Sequence, residues 1–325
     1  MDNILDVRSL YVKFITTKGT VSVLNGCSLA LKKGEVMGLA GESGSGKSVT
    51  AMAIINLLRK PGEITGGEVL LEGNNILNYS KDEIQQIRGK QIAVIPTNPR
   101  AMLHPMIPIG KQMVNAYRSH FPDVTPREAE QLAIQKLEKV QIQDAKLRLS
   151  SYSNELSGGM AQRVLIAMAL MFDPKIVIAD DATAGLDVTV QAQVLDLLKK
   201  TVEERNSSCL IITHDLGIIA QYCQSVSILF YGRVIEYCDS VNELFNNALH
   251  PYTQTLLSAT PGTPKEYQEL VMPPGSAMRS IPEKGCLVRE RCTRAQPICH
   301  ELAPKARFTS QNHWAECHFI EEENN

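Results

Sequence analysis

Gly41-Glu42-Ser43-Gly44-Ser45-Gly46-Lys47-Ser48 fits the pattern G-x-x-x-x-G-K-[ST]. The apolar run Val36 to Ala40 leads into it and reads as a short buried strand. Lys47 to Leu58 follows and reads as a helix. Strand, glycine-rich loop and helix in that order are the setting a phosphate-binding loop needs. The glycines let backbone N–H groups turn inward as a nest for phosphate oxygens, and the helix points its positive end at the same place. Lys47 would add a point charge to the β- and γ-phosphates, and Ser48 an oxygen for Mg²⁺. A glycine-rich turn that matched by chance would lack the flanking strand and helix.

Upstream, residues 4–39 read as short strands broken at the turn signals Asn25-Gly26 and Lys33-Gly34. Downstream, residues 66–74 return to strand character. Thr125-Pro126-Arg127-Glu128 is a helix start, with a threonine cap, an early proline and a glutamate three residues on. Leu132, Leu137 and Val140 follow it on one face. A helix is expected from Gly158 to about Met171, and a buried strand over Ile176–Ala179. Val188–Arg205 should be helical with Val190, Val194, Leu197 and Leu198 inward. Cys209–Thr213 is the next strand. Val226–Phe230 and Val234–Tyr237 suit a hairpin around Tyr231-Gly232. Ile176-Val177-Ile178-Ala179-Asp180 ends an apolar strand in a carboxylate, as a Mg²⁺ site requires. Alone, such an aspartate would more often be a helix cap.

Leu156-Ser157-Gly158-Gly159-Met160 is a second glycine-rich turn feeding a helix. Here the chain resembles the ATP-binding-cassette family, whose signature is this LSGG turn. The resemblance covers about residues 4–258. It implies an α/β P-loop fold with a mostly parallel core sheet, an N-terminal antiparallel sheet and a helical arm around residues 98–165. It places nucleotide contacts on Phe14, Gly41, Ser43, Gly44, Ser45, Gly46, Lys47, Ser48 and Val49, with Mg²⁺ on Ser48 and Asp180. It gives Leu156–Met160 to the ATP of a partner subunit. Asp187, in Ala184-Gly185-Leu186-Asp187, would lie on the dimer seam. His214, in Thr213-His214-Asp215, would meet the γ-phosphate. Leu186-Asp187-Val188-Thr189 and His250-Pro251-Tyr252-Thr253 resemble the ATPase subunits of oligopeptide, dipeptide and nickel importers. That subfamily implies a heterodimer of two related ATPases under two membrane subunits, fed by an extracytoplasmic binding protein.

Three positions depart from the family pattern. Asp181 stands where a glutamate polarises the attacking water, so the carboxylate is one methylene short. Misplacements of that size cost on the order of 10²-fold in rate. Ala182 replaces a proline, which loosens the turn. Thr97, in Ile95-Pro96-Thr97-Asn98-Pro99, takes the place of a glutamine that touches metal and water. The expectation is a weak or non-hydrolytic site on this chain's own Gly41 loop, with Asp181, His214 and Thr97 as its catalytic positions and an intact signature lent to the partner.

Prolines and glycines cluster after residue 258 (Pro261, Pro264, Pro273, Pro274, Gly275), and four of the eight cysteines follow. This suggests a catalytic domain over 1–258 and a loop-rich extension over 259–325. Cys286, Cys292, Cys299 and Cys317 form a C-x5-C-x6-C-x17-C set. Four thiolates suit a [4Fe–4S] cluster, which the resemblance favours, or structural zinc, or simply buried thiols. Cys27, Cys209, Cys223 and Cys238 sit in apolar contexts and read as core.

The net charge is −2, without a basic run, which argues against a nucleic-acid surface. No apolar stretch is long enough to span a bilayer, and the N-terminus lacks the pattern of a secretory signal. The expected location is the cytoplasmic face of a membrane, as a peripheral subunit. There is no internal repeat. Competing readings are a subunit that binds ATP only as a clamp, and a soluble ATPase of the same superfamily acting on DNA or ribosomes. The single cassette without a heptad run disfavours the last.

Overall fold

The computed structural model describes residues 3–17, 19–260, 282, 284–310 and 312–321. The proline and glycine cluster between 261 and 275 lies outside the described residues. In chain order the strands are β1 (Asn3–Thr16), β2 (Gly19–Lys32), β3 (Val36–Ala40), β4 (Gly62–Leu71), β5 (Asn74–Asn75), β6 (Ile92–Ile95), β7 (Ile176–Asp180), β8 (Ser208–Thr213), β9 (Ser225–Phe230), β10 (Arg233–Cys238), β11 (Ala306–Ser310) and β12 (His313–Glu316). The contacts group the chain into two compact units. One holds residues up to Lys32, Val36–Asn78 and everything from Ile211 onward. The other holds Lys33–Glu35 and Tyr79–Leu210.

In the first unit β1 pairs antiparallel with both β2 and β4. The expected short strands are instead two 14-residue strands. Asn25-Gly26 is not a turn between them. Cys27 pairs with Leu10 and Asn25 with Tyr11, so Gly26, at φ 80°, is the extra residue of a bulge. A bulge and a turn use the same left-handed glycine, which is why the sequence signal is ambiguous. β3 runs parallel to β9, and β9 turns into β10 through Tyr231 and Gly232, both at positive φ. β10 also pairs with β12, and β12 with β11. The C-terminal segment was expected to be loop-rich, but it contributes these two strands. Phe308 faces Trp314 across them, and Arg233 grips Glu316 through two hydrogen bonds of 2.6 and 2.8 Å.

The helix after the phosphate loop spans Lys47–Ile54, shorter than expected. Asn56 adopts φ 49°, its N–H donates to Ala53, and the Leu57 N–H donates back to Met52. This is a Schellman stop with asparagine in the glycine position.

In the second unit β6 and β7 pair in parallel and are almost wholly buried. Its helices include Ile109–His120, Pro126–Lys139, Gly158–Ala169 and Val188–Glu204. The capping box expected at Thr125 and Glu128 is present, with Pro126 in the first turn. Leu137 and Val140 behind it are buried, as are Val194, Leu197 and Leu198 of the later helix. β8 passes from this unit into the first and is buried along its length. Among the described residues no helix is long and apolar enough to cross a membrane.

Candidate functional site

The phosphate loop joins β3 to the helix Lys47–Ile54, as the sequence requires. Gly44 and Gly46 take φ 82° and 107°, which glycine alone adopts without strain. At Gly41 a Cβ would run into the Leu229 carbonyl of β9. The loop is braced by the hairpin turn, where the Gly232 N–H donates to the Ser45 carbonyl at 2.7 Å. Lys47 is buried, and its ammonium donates to the carbonyls of Gly41 and Glu42 at 2.8 Å each. The loop is therefore tied into a ring by its own lysine. Ser43, Gly44 and Ser48 face solvent, and Val49 is half-buried. Phe14 lies on β1 opposite Gly62 of β4, which leaves room for its ring.

Glu42 has a partner that no local pattern announces. Arg291 donates to both of its carboxylate oxygens at 2.7 Å. The two residues lie 249 apart in sequence, so only the tertiary fold could reveal the pair.

Asp180, Asp181 and Thr97 belong to the second unit. Asp180 ends β7 and is buried. Asp181 is half-buried with φ 48°, a conformation aspartate tolerates. The turn after it is closed by the Ala184 N–H donating to the Asp181 carbonyl at 3.0 Å, with Ala182 buried inside. The Thr97 hydroxyl donates to the main-chain carbonyl of Asp180 at 2.9 Å. That hydroxyl is tied to the backbone, so it does not reach outward as a longer amide would.

The signature turn is in the same unit. Ser157 caps the helix Gly158–Ala169 by accepting from the Met160 N–H at 3.2 Å. Leu156 is buried, and Arg100 donates to its carbonyl at 2.8 Å. Gly159 has a packing reason to be glycine: a Cβ there would lie 2.6 Å from the Val190 side chain. Ser157, Gly159 and Met160 open onto a 310 Å³ cavity also lined by Arg148 and Arg163. Asp187 is exposed and caps the helix Val188–Glu204 through the Val190 N–H at 3.0 Å. His214, in the first unit, is exposed just before Asp215, which caps the helix Leu216–Tyr222.

The four C-terminal cysteines lie together. Cys286 and Cys299 are buried in one apolar cluster with Cys292 against it. The Cys286 N–H donates to the Cys299 carbonyl at 2.7 Å. Burial pushes the Cys286 thiol up to about 11, and the neighbouring sulfurs of Cys299, Cys292 and Cys317 add to it. Burial raises Cys292 and Cys317 too. Thiols that oppose one another's ionisation are a donor set which a cation would stabilise. Among the described residues, however, no three His, Cys, Asp or Glu side chains stand at metal-holding spacing. Cys27, Cys209 and Cys238 are buried and Cys223 is half-buried, as expected of core thiols.

The ABC transporter family matches residues 24–184, and the oligopeptide/dipeptide transporter C-terminal region matches 235–299. The chain is 39% identical to the oligopeptide transport ATP-binding protein OppD of Salmonella typhimurium, over 94% of this chain and 91% of that protein. It is 38% identical to the probable D,D-dipeptide transport ATP-binding protein DdpD of Escherichia coli, over 98% of each. Among solved structures it resembles the dimeric ATP-binding cassette MJ0796 bound to ADP and Pi, with TM-score 0.63 and 26% identity over 71% of this chain and 96% of that one. Likeness that runs through the cassette and on into the cysteine-bearing C-terminal region identifies the chain as a member of the ABC transporter ATP-binding family, in its oligopeptide/dipeptide branch.

Proposed function

We propose that this chain is the ATPase subunit of a peptide importer, coupling ATP binding and hydrolysis to uptake. The observation that carries the reading is the Lys47-closed phosphate loop in a chain similar from end to end to peptide-transport ATPases. Gly41 to Val49 hold the phosphates, and Phe14 meets the adenine. Ser48 and Asp180 offer hard oxygen donors that suit Mg²⁺, which neutralises phosphate charge when bound. His214 meets the γ-phosphate, and Asp187 lies on the seam with a second, related ATPase. Leu156–Met160 serves that partner's nucleotide. Two membrane subunits and an extracytoplasmic binding protein complete the assembly, with this chain on the cytoplasmic face. Peptides are favoured as cargo by the named relatives, with nickel or another metal chelate the runner-up. A domain boundary near residue 258 separates the cassette from the cysteine extension.

The gathered thiols of Cys286, Cys292, Cys299 and Cys317 have the donor chemistry for a [4Fe–4S] cluster, and zinc is the competing occupant. Iron and sulfide content of protein purified without oxygen separates the two.

This chain's own nucleotide site is slow. Asp181 is a methylene short for positioning water, and the Thr97 hydroxyl is spent on the Asp180 carbonyl. The same two observations favour a second reading, in which the chain only clamps ATP. In the assembled transporter, Asp181→Asn should change ATP turnover by less than about 3-fold. Loss of the partner subunit's catalytic carboxylate should abolish it. A large loss from Asp181→Asn would return hydrolysis to this chain's site. Single-site turnover in the mixed dimer separates a slow site from a pure clamp.

A further inference from the structure

Arg291 belongs to none of the nucleotide motifs and stands in the spacer just before Cys292, yet it holds the phosphate loop from outside. Its guanidinium forms a two-pronged ion pair with Glu42, 2.7 Å on each arm. The Arg291 side chain is only 13% exposed, and its guanidinium carbon stands 5.9 Å from the ring centres of both Phe230 and Tyr252. Glu42 is held from the other side as well. Its carbonyl accepts from the Lys47 ammonium at 2.8 Å and from the Ser45 N–H at 3.1 Å. One residue thus joins two grips: Lys47 on its main chain within the loop, and Arg291 on its side chain from the C-terminal segment. The orientation of the Glu42 peptide helps set where the following N–H groups point. Arg291 in turn is chained directly to Cys292, and the turn holding both is closed by the Arg291 N–H donating to Val288 and the Cys292 N–H to Arg289.

We propose that Arg291 is a positioning residue for nucleotide, and that the cysteine-bearing segment is a latch whose integrity sets how tightly the Gly41–Ser48 loop holds ATP. The inference rests on the reading of that loop as the ATP site. A bidentate pair on a mostly buried arginine suits this task, because lysine could replace the charge but not the fork. Cys292 follows Arg291 in the same turn and packs against the apolar cluster that holds Cys286 and Cys299, so a change at these cysteines has a short path to the loop through Arg291 and Glu42.

The test measures binding of the fluorescent nucleotide MANT-ATP to the full chain, beside its melting temperature. Arg291→Ala and Glu42→Gln should each weaken binding roughly 5- to 150-fold, the usual range of coupling between two sites. The double variant should be no worse than either single one, because both remove the same contact. Exchanging the charges, Arg291→Glu with Glu42→Arg, should recover part of the affinity, and Arg291→Lys should fall between wild type and alanine. Cys292→Ser should weaken binding in the wild-type chain and add nothing in the Arg291→Ala background. Lys47→Ala is the control: normal binding by it would sink the ATP site itself. If Lys47→Ala loses nucleotide while Arg291→Ala binds like wild type, the latch is wrong. It is equally wrong if Arg291→Ala lowers only the melting temperature.

Discussion

The loop Gly41–Ser48 and the turn Leu156–Met160 are both glycine-rich entries to a helix, yet they are finished differently. The first is closed by its own chain. Lys47 caps two carbonyls, Gly232 holds Ser45, and Arg291 holds Glu42. The second carries one serine cap and one tether from Arg100, and it opens onto a cavity with Ser157 exposed. A loop that grips phosphate unaided has to be shaped before the ligand arrives. A helix end proposed to complete another subunit's site has only to be presented. The glycines differ in the same way. Gly44 and Gly46 are needed for backbone angle, whereas Gly159 is needed for the space that Val190 fills.

The contrast can be broken most severely at Lys47. Lys47→Ala should abolish MANT-ATP binding to the single chain, the largest loss of any single change, because it removes both the phosphate charge and the two bonds that close the loop. If binding survives, the first loop is not the closed phosphate clamp described. Alkaline titration should act next, through His313 in the first unit. His313 of β12 bonds to the buried Glu236 of β10 at 2.9 Å, with Glu243 3.9 Å away. Burial by itself would lower His313, but the bonds to Cys238 and Glu236 outweigh it and raise it from 6.5 to about 9. A raised pKa means the folded chain holds the proton more tightly. The stabilisation is full below about 6.5 and lost as pH rises through about 9, at most about 3 kcal/mol. Melting temperature should fall between about pH 6 and 9.5 more steeply for the wild type than for His313→Gln. Equal slopes would show the pair to be idle.

Gly159→Ala sharpens the comparison from the other side. Val190 must move, at a cost of about 1–3 kcal/mol, and Val190→Ala in the same chain should restore most of the stability. MANT-ATP binding to the single chain should stay unchanged, since this turn faces outward; weaker binding would erase the distinction between the two loops. Thr97→Val should matter least. It removes one hydrogen bond to the Asp180 carbonyl, worth about 1 kcal/mol by chemical denaturation, and leaves nucleotide binding intact.

Features with a local cause were legible in the sequence. The phosphate loop, the Thr125–Glu128 box and the Tyr231-Gly232 hairpin each follow from a few adjacent residues. Errors arose where one signal serves two structures. Gly26 marks a bulge, although asparagine-glycine more often marks a turn. Asn56 stops its helix, although glycine is the usual sign. The β11–β12 pair was hidden because its partner, β10, lies about 70 residues earlier. Of the site, the motif positions were readable and Arg291 was not. Its neighbours in sequence are charged and cysteine-flanked, and nothing local points to Glu42.

The 249-residue separation of Glu42 and Arg291 also orders events during synthesis. Chains emerge at about 5–20 residues per second, so the clamp follows the loop by roughly 10–50 s. The loop's β9 neighbour and Gly232 brace are themselves made late in that interval, and until Arg291 follows them the phosphate loop stays unlatched. On the proposed latch, tight nucleotide grip marks a chain whose C-terminal segment has been made and folded, and a copy lacking Arg291 would compete poorly for ATP.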